Sequence, residues 1–200
     1  MVASKIKKTT KTIKKKTTTK PKATQSQRTK VICISHKEDA DGISSAALIR
    51  QAFGGDSVLV DYPGQMEAIQ KVCADEKLKS LYICDLGLSK KNQDEFVELL
   101  RILKKNHVAV TYIDHHDIDP KITKELEKIK VKMIHDINEC TTVQVYNAFK
   151  SKLSDQSPFI AACAAITDYM EDRPIGSKLL KIYDRQFSLI NATVLTYNIV

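Results

Sequence analysis

Residues 31–49 read VICISHKEDADGISSAALI, and the fold is decided in this stretch. Residues 31–35 (VICIS) form a continuous apolar run of strand length that stops in His36-Lys37-Glu38-Asp39-Ala40-Asp41-Gly42. Ser44, Ser45, Ala46, Ala47, Leu48 and Ile49 then open a helical pattern. Strand, polar loop and helix in that order make a first βα unit.

The unit recurs along the chain. Residues 58–61 (VLVD) predict a second strand, residues 66–74 a helix, and residues 81–84 (LYIC) a third strand ending in Asp85. Val97, Leu100, Ile102 and Leu103 mark an amphipathic helix. Val108, Val110, Tyr112 and Ile113 mark a buried strand that ends in Asp114-His115-His116-Asp117. A charged helix over 121–130, a fifth strand over 131–134 ending in His135, and helices over 141–153, 158–170 and 178–195 complete the pattern. The expected fold class is α/β: a doubly wound, mostly parallel sheet with helices on both faces and a helical C-terminal segment.

The formal charge of +8 is unevenly placed. Of 32 Lys and Arg, 11 fall in residues 1–30, which hold no acid, leaving 21 basic against 24 acidic residues in the remainder. This low-complexity basic run is expected to be a disordered tail. It is either a solvated tail without a partner or a sequence-independent, salt-sensitive contact for DNA or RNA phosphates. No aromatic residue interleaves it, so base stacking is not indicated.

The five cysteines (Cys33, Cys73, Cys84, Cys140, Cys163) lack CxxC spacing and read as buried thiols of a reducing compartment. With no signal-peptide pattern and no stretch approaching a membrane span, a cytoplasmic location without membrane contact is expected.

In open parallel sheets the functional crevice lies outside the carboxyl ends of the strands. His36, Asp39 and Asp41 follow the first strand, Asp85 ends the third, and Asp114, His115 and His116 end the fourth. Singly, a His-His pair is an ordinary surface pair and Asp-x-Asp-Gly a turn. Jointly they offer imidazoles and several carboxylates without thiolate, a set suited to Mn²⁺ or Mg²⁺ and large enough for two ions.

These residues resemble the DHH phosphoesterase superfamily, which includes RecJ-type exonucleases, oligoribonucleases, cyclic-dinucleotide phosphodiesterases and manganese-dependent pyrophosphatases. The first motif is similar to His36-Lys37-Glu38-Asp39-Ala40-Asp41-Gly42, the second to Asp85-Leu86-Gly87, the third to Asp114-His115-His116 and the fourth to Ala165-Ile166-Thr167-Asp168-Tyr169. By position, the resemblance implies that His36 and Asp39 bind one metal, that Asp41, His115 and Asp168 bind the other, and that Asp85 bridges them. It further implies that His116 contacts the scissile phosphate or stabilises its developing charge and that Asp114 orients a metal-ligating histidine.

The sequence departs from the family pattern in three places. Only Lys37 and Glu38 separate His36 from Asp39, which leaves Glu38 as a competing ligand, and Thr167 stands where a glycine is commoner. No counterpart of the family's second, substrate-gripping domain follows. Residues 31–175 are therefore expected to be the catalytic domain and residues 176–200 a helical connector, either of a truncated product or forming an interface with a protein partner or a second copy.

His107 precedes a strand after a Lys-Lys-Asn cap and is expected to be exposed, His135 ends a strand and is able to line the crevice, and Asp61 and Asp136 are strand-end acids, either supporting the ligands or forming simple turns. Glu139-Cys140-Thr141-Thr142 resembles a helix-entry segment of the family near the site, which implies that Thr141 or Thr142 caps the helix. Arg173 is the candidate phosphate contact, against an ion pair with Glu171 or Asp172.

The expected function is a metal-dependent phosphodiesterase or exonuclease acting on single-stranded DNA, RNA or short oligonucleotides through a water activated by two metals, Mn²⁺ preferred or Mg²⁺. Alternatives are a phosphohydrolase of a small nucleotide, such as a cyclic dinucleotide or nucleotide phosphate, and a catalytically weak nucleic-acid-binding scaffold.

Overall fold

The structure is a computed structural model that describes residues 30–199. The basic tail lies outside the described residues but for Lys30. Five strands, β1 (Lys30–His36), β2 (Asp56–Val60), β3 (Leu78–Cys84), β4 (Ala109–Asp114) and β5 (Lys132–His135), form one sheet in the order β2-β1-β3-β4-β5. Every pairing is parallel, with Ile34 opposite Ile83, Ile83 opposite Tyr112 and Ile113 opposite Ile134. Strands buried on both faces require continuous apolar runs, which is why VICIS and LYIC do not alternate.

Three helices, α1 (Gln65–Cys73), α2 (Gln93–Lys105) and α3 (Pro120–Lys128), cover one face. Ile69, Phe96, Leu100 and Leu126 interlock there with Ile34, Leu81, Ile83 and Tyr112. On the other face α4 (Ala40–Phe53) and α5 (Thr141–Phe149) pack Ala46, Leu48, Ile49 and Val145 against Cys33, Cys84 and Ile113. An outer helical layer, α6 (Ser157–Thr167), α7 (Gly176–Leu180) and α8 (Arg185–Tyr197), adds an alanine-rich core of Ala161, Ala162, Ala164 and Ala165. The doubly wound α/β expectation holds, and the sheet is wholly parallel among the described residues.

Two of the departures from the expected boundaries have a clear local cause, while the helix expected over 141–153 ends at Phe149 in a 3₁₀ turn (Lys150–Lys152) and other ends shift by one to three residues. The helix predicted over 178–195 is two helices, because Asp184 adopts an extended backbone and its carboxylate accepts from the Phe187 N–H at 2.8 Å. A local carboxylate cap competes with continuation of the helix and starts a new one. The helix predicted over 158–170 stops at Thr167, where Tyr169 turns left-handed (φ 56°) and the Met170 N–H reaches Ala165 O at 2.8 Å. This is the six-to-one closure that usually employs glycine. Here it leaves Asp168 as the capping residue, projecting from the helix end.

All five cysteines are free thiols, four of them buried and Cys73 half-buried. No helix among the described residues is long and apolar enough to cross a membrane.

Candidate metal centre

The chain runs from β1 outward to β2 and then returns past β1 to β3, so the direction of winding reverses between β1 and β3. The crevice therefore opens at the carboxyl ends of these two strands. His36 is the last residue of β1, and Asp39 is the N-cap of α4, accepting from the Gly42 N–H at 2.7 Å. A Cβ at Gly42 would stand 2.4 Å from His36 O, so only glycine lets the helix start so close to the strand end. Asp39 also meets His36 Nδ1 at 2.7 Å, which turns the other ring nitrogen, Nε2, into the crevice.

Asp85 sits immediately past β3 in a left-handed backbone (φ 54°), with its N–H on Ile113 O at 3.0 Å. A non-glycine residue held in that region costs about 1–2 kcal/mol. One carboxylate oxygen accepts from Thr141 Oγ1 at 3.1 Å, and His115 Nε2 lies 3.4 Å from the same oxygen. His115 Nδ1 lies 3.5 Å from Asp168 Oδ2, so this imidazole stands between two carboxylates.

His116 turns the other way. Its Nδ1 lies 2.8 Å from Asp114 Oδ1, while Asp114 Oδ2 accepts from the Tyr112 hydroxyl at 2.6 Å, so Asp114 orients the ring of this histidine and not that of a metal-ligating one as the resemblance implied. The Tyr112 hydroxyl also reaches Leu86 O at 2.9 Å. Gly87 lets the ring lie close, since a Cβ there would fall 3.1 Å from His116 Cγ. Asp41 is 1% exposed, and its two oxygens accept from the Thr141 and Thr142 N–H groups at 2.7 and 2.8 Å. The expected threonine cap of α5 is thus replaced by a carboxylate from α4. The Thr142 hydroxyl bonds Asp41 O, and that of Thr141 bonds Asp85.

Among the described residues four buried side-chain atoms lack a hydrogen-bond partner: the amide oxygen of Gln144 and three potential ligand atoms at this edge, His36 Nε2, Asp85 Oδ2 and Asp168 Oδ2. Buried polar atoms left unpaired are costly and call for a ligand. Potential ligand atoms of His36, Asp39 and Asp85 lie within 4.8 Å of one another. The same holds for Asp85, Asp114, His115 and His116, and for Asp41, Cys140 and Asp168. Burial and the Asp41 charge hold the Cys140 thiol well above its ordinary range, so it stays protonated and the donor set is imidazole and carboxylate. These donors fit a hard or borderline divalent cation. Glu38 is exposed and groups with His36 and Asp61, away from Asp85.

The electrostatics point the same way. Burial first, then the charges of Asp41, Asp39 and Asp114, push the Asp85 carboxyl far up. Burial, then Asp41, pushes Asp168 up to about 7. Burial also acts on Asp114, but His116, Tyr112 and His115 outweigh it and hold that carboxyl below the usual range. The Asp114 bond raises the His116 imidazole. Asp85 and Asp168 are carboxylates waiting for positive charge, and Asp114 already has it.

Of the remaining polar groups, His135 is half-buried with Nε2 2.6 Å from His116 O, and His107 is exposed. Asp61 caps a short 3₁₀ turn (Tyr62–Gly64), and Asp136 accepts from Asn138. Arg173 is exposed, with Nε 3.8 Å from Asp172, so the local ion pair is the contact formed.

The supporting roles of four residues escaped the sequence reading, in which Glu139 enters only as part of a helix-entry segment. Gln144 Nε2 ties together the carbonyls of Asp114, Asp136 and Glu139. Buried Glu139 accepts from the Ile175 and Gly176 N–H groups, anchoring the loop that follows Asp168. Tyr112 supports Asp114, and Tyr62 faces His116 and His36. Tyr62 carries a usable signal, since it lies two residues past the end of β2 on the crevice side.

A family model described as "DHH family, N-terminal domain" matches residues 30–173. No curated protein matches the chain in sequence. Among solved structures, it is similar to the crystal structure of an uncharacterized protein from Helicobacter pylori G27, with a TM-score of 0.53 and 19% identity. That alignment covers 76% of this chain and 47% of the other, so this chain spans about half the length of the protein it matches. At such identity the likeness concerns the fold.

Proposed function

The chain belongs to the DHH family, whose members are in general phosphoesterases, and from that premise we propose that it is a metal-dependent phosphodiesterase acting on nucleic acid or short oligonucleotides. The observation that carries this reading is the set of three unpartnered buried atoms, His36 Nε2, Asp85 Oδ2 and Asp168 Oδ2, at one sheet edge. His36, Asp39 and Asp85 would hold one divalent cation, and Asp85, Asp41, His115 and Asp168 a second, Mn²⁺ in preference to Mg²⁺. Such cations supply a lowered water pKa and a Lewis-acid clamp on phosphoryl oxygens.

The chain's own residues do the rest. Asp114 accepts from His116 Nδ1, which fixes the ring and favours the imidazolium, so Nε2 presents a proton to a phosphate oxygen as charge develops there. Tyr112 locks Asp114 from behind, so the His116 ring keeps its direction through the reaction. Thr141 steers the Asp85 carboxylate and so sets where its free oxygen points.

A polymeric or oligomeric substrate is favoured by the 11 basic residues among the first 30, which would follow phosphates by counterion release. The free thiols favour a reducing compartment, the cytoplasm.

The test is a panel of single-stranded DNA, short RNA, a cyclic dinucleotide and pyrophosphate, each with Mn²⁺. The expected result is turnover of the single-stranded substrates. Removing residues 1–29 should weaken their binding and flatten its salt dependence while sparing a dinucleotide. Turnover of pyrophosphate or a cyclic dinucleotide alone would shift the assignment to a small-nucleotide phosphohydrolase, and no turnover would leave a binding scaffold.

A further inference from the structure

Two tyrosines approach the Asp114–His116 pair, and they are employed differently. The Tyr112 hydroxyl is fully buried with two short bonds, to Asp114 and to Leu86 O. Tyr62 is 42% exposed, and its hydroxyl makes a long contact, 3.4 Å, to His116 Nε2, with the Gly87 backbone also beside it. Tyr62 does not hold His116 in place, because the ring is already fixed through Nδ1 by Asp114 and from below by Gly87.

The phenol is nevertheless aimed with care. Asp61 caps the 3₁₀ turn by accepting from the Tyr62 N–H at 2.7 Å, and Pro63 stiffens the turn. The ring lies 4.8 Å from that of His36, on the crevice side. Hydrogen bonds favour about 2.7–3.0 Å, so one oxygen atom can lie within reach of both the Tyr62 hydroxyl and His116 Nε2 across their 3.4 Å gap.

We propose that Tyr62 is a substrate-contacting residue, whose hydroxyl and His116 Nε2 together donate to one non-bridging oxygen of the scissile phosphate. The inference rests on the phosphodiesterase reading above. Tyr62 supplies a hydrogen bond and transfers no proton. It lies outside the four sequence motifs, on the turn after β2, so the substrate is gripped from both sides of the crevice, β2 on one and β4 on the other.

The experiment compares wild type, Tyr62→Phe and Tyr62→Ala for hydrolysis of a dinucleotide with Mn²⁺, and for binding of Mn²⁺ and of orthovanadate by calorimetry. The Phe variant keeps the ring against His36 and removes only the hydroxyl. The expected result for it is a kcat lower by roughly ten- to a hundredfold, with little change in KM, orthovanadate binding weakened in step and Mn²⁺ affinity unchanged.

A Phe variant equal to wild type in kcat and orthovanadate binding overturns the inference alone, even if the Ala variant is impaired, since the ring would then matter only as packing. A fall in Mn²⁺ affinity that accounts for the fall in kcat also overturns it. A wild type that neither hydrolyses the dinucleotide nor binds orthovanadate overturns the proposed function and this inference with it.

Discussion

Asp85→Asn is expected to lower Mn²⁺-dependent turnover on the order of a thousandfold while leaving the metal-free protein as stable as wild type, or more so. The two halves have one cause. Asp85 is 1% exposed with an unpartnered oxygen, and burial together with three neighbouring carboxylates pushes its carboxyl far above the ordinary range. A carboxyl whose folded value is raised stabilises the fold only while protonated. That contribution is complete below the unfolded value near 3.8 and is lost as pH rises through the raised folded value. At pH 8 in chelator this carboxyl therefore works against the fold, and a neutral amide relieves it while its oxygen can still accept from Thr141. The checks are the hydrolysis rate with Mn²⁺ and thermal unfolding with EDTA at pH 8. Unfolding of the variant at a clearly lower temperature would make Asp85 a structural residue.

Asp41→Ala is expected to do the reverse in chelator. Both Asp41 oxygens accept N–H groups from the first turn of α5, where the helix dipole adds to the attraction. Hydrogen bonds to a charged group contribute about 1.5–3 kcal/mol each, so the pair is worth roughly 3–6 kcal/mol. A domain of this size is stable by only about 5–15 kcal/mol. Alanine also leaves two buried donors without partners, at the point where α4 and α5 meet. Urea denaturation in EDTA should show the midpoint falling steeply. An unchanged midpoint would mean that Asp41 serves the metal alone. Two carboxylates of one site are thus distinguished before any metal is added, one opposing the folded state and the other supporting it.

The strand ends were legible because apolar runs of strand length stop abruptly in polar residues, and the edge rule then places those residues together. His36, Asp39, Asp85 and the Asp114–His116 run needed nothing more. Asp168 was not reachable that way, since it ends a helix in the outer layer, and only the resemblance pointed to it. The left-handed turn at Tyr169 that ends its helix carries no glycine to announce it.

The cap of α5 was misread for a related reason. Threonines beside a helix start look like local caps, whereas the acceptor comes from Asp41, a hundred residues earlier in the chain. Local signals find local partners. The bonds of Gln144 and Glu139 are hidden on the same ground, because they go to backbone atoms whose positions only the assembled fold defines. Asp184, a local cap, was within reach of sequence reading and was passed over because the apolar pattern continues across it.

The most direct test of a two-cation phosphoesterase site is a calorimetric titration of the metal-free chain with Mn²⁺ at pH 6 and pH 8. Asp168, held up to about 7, must give up its proton before it can bind a cation, and the Asp85 carboxyl is displaced in the same direction, so affinity should rise from the lower pH to the higher. The expected result is two ions per chain at saturation, tighter at pH 8, with Asp85→Asn losing both high-affinity sites. A chain that binds no Mn²⁺, or one whose binding is untouched by Asp85→Asn, would contradict it.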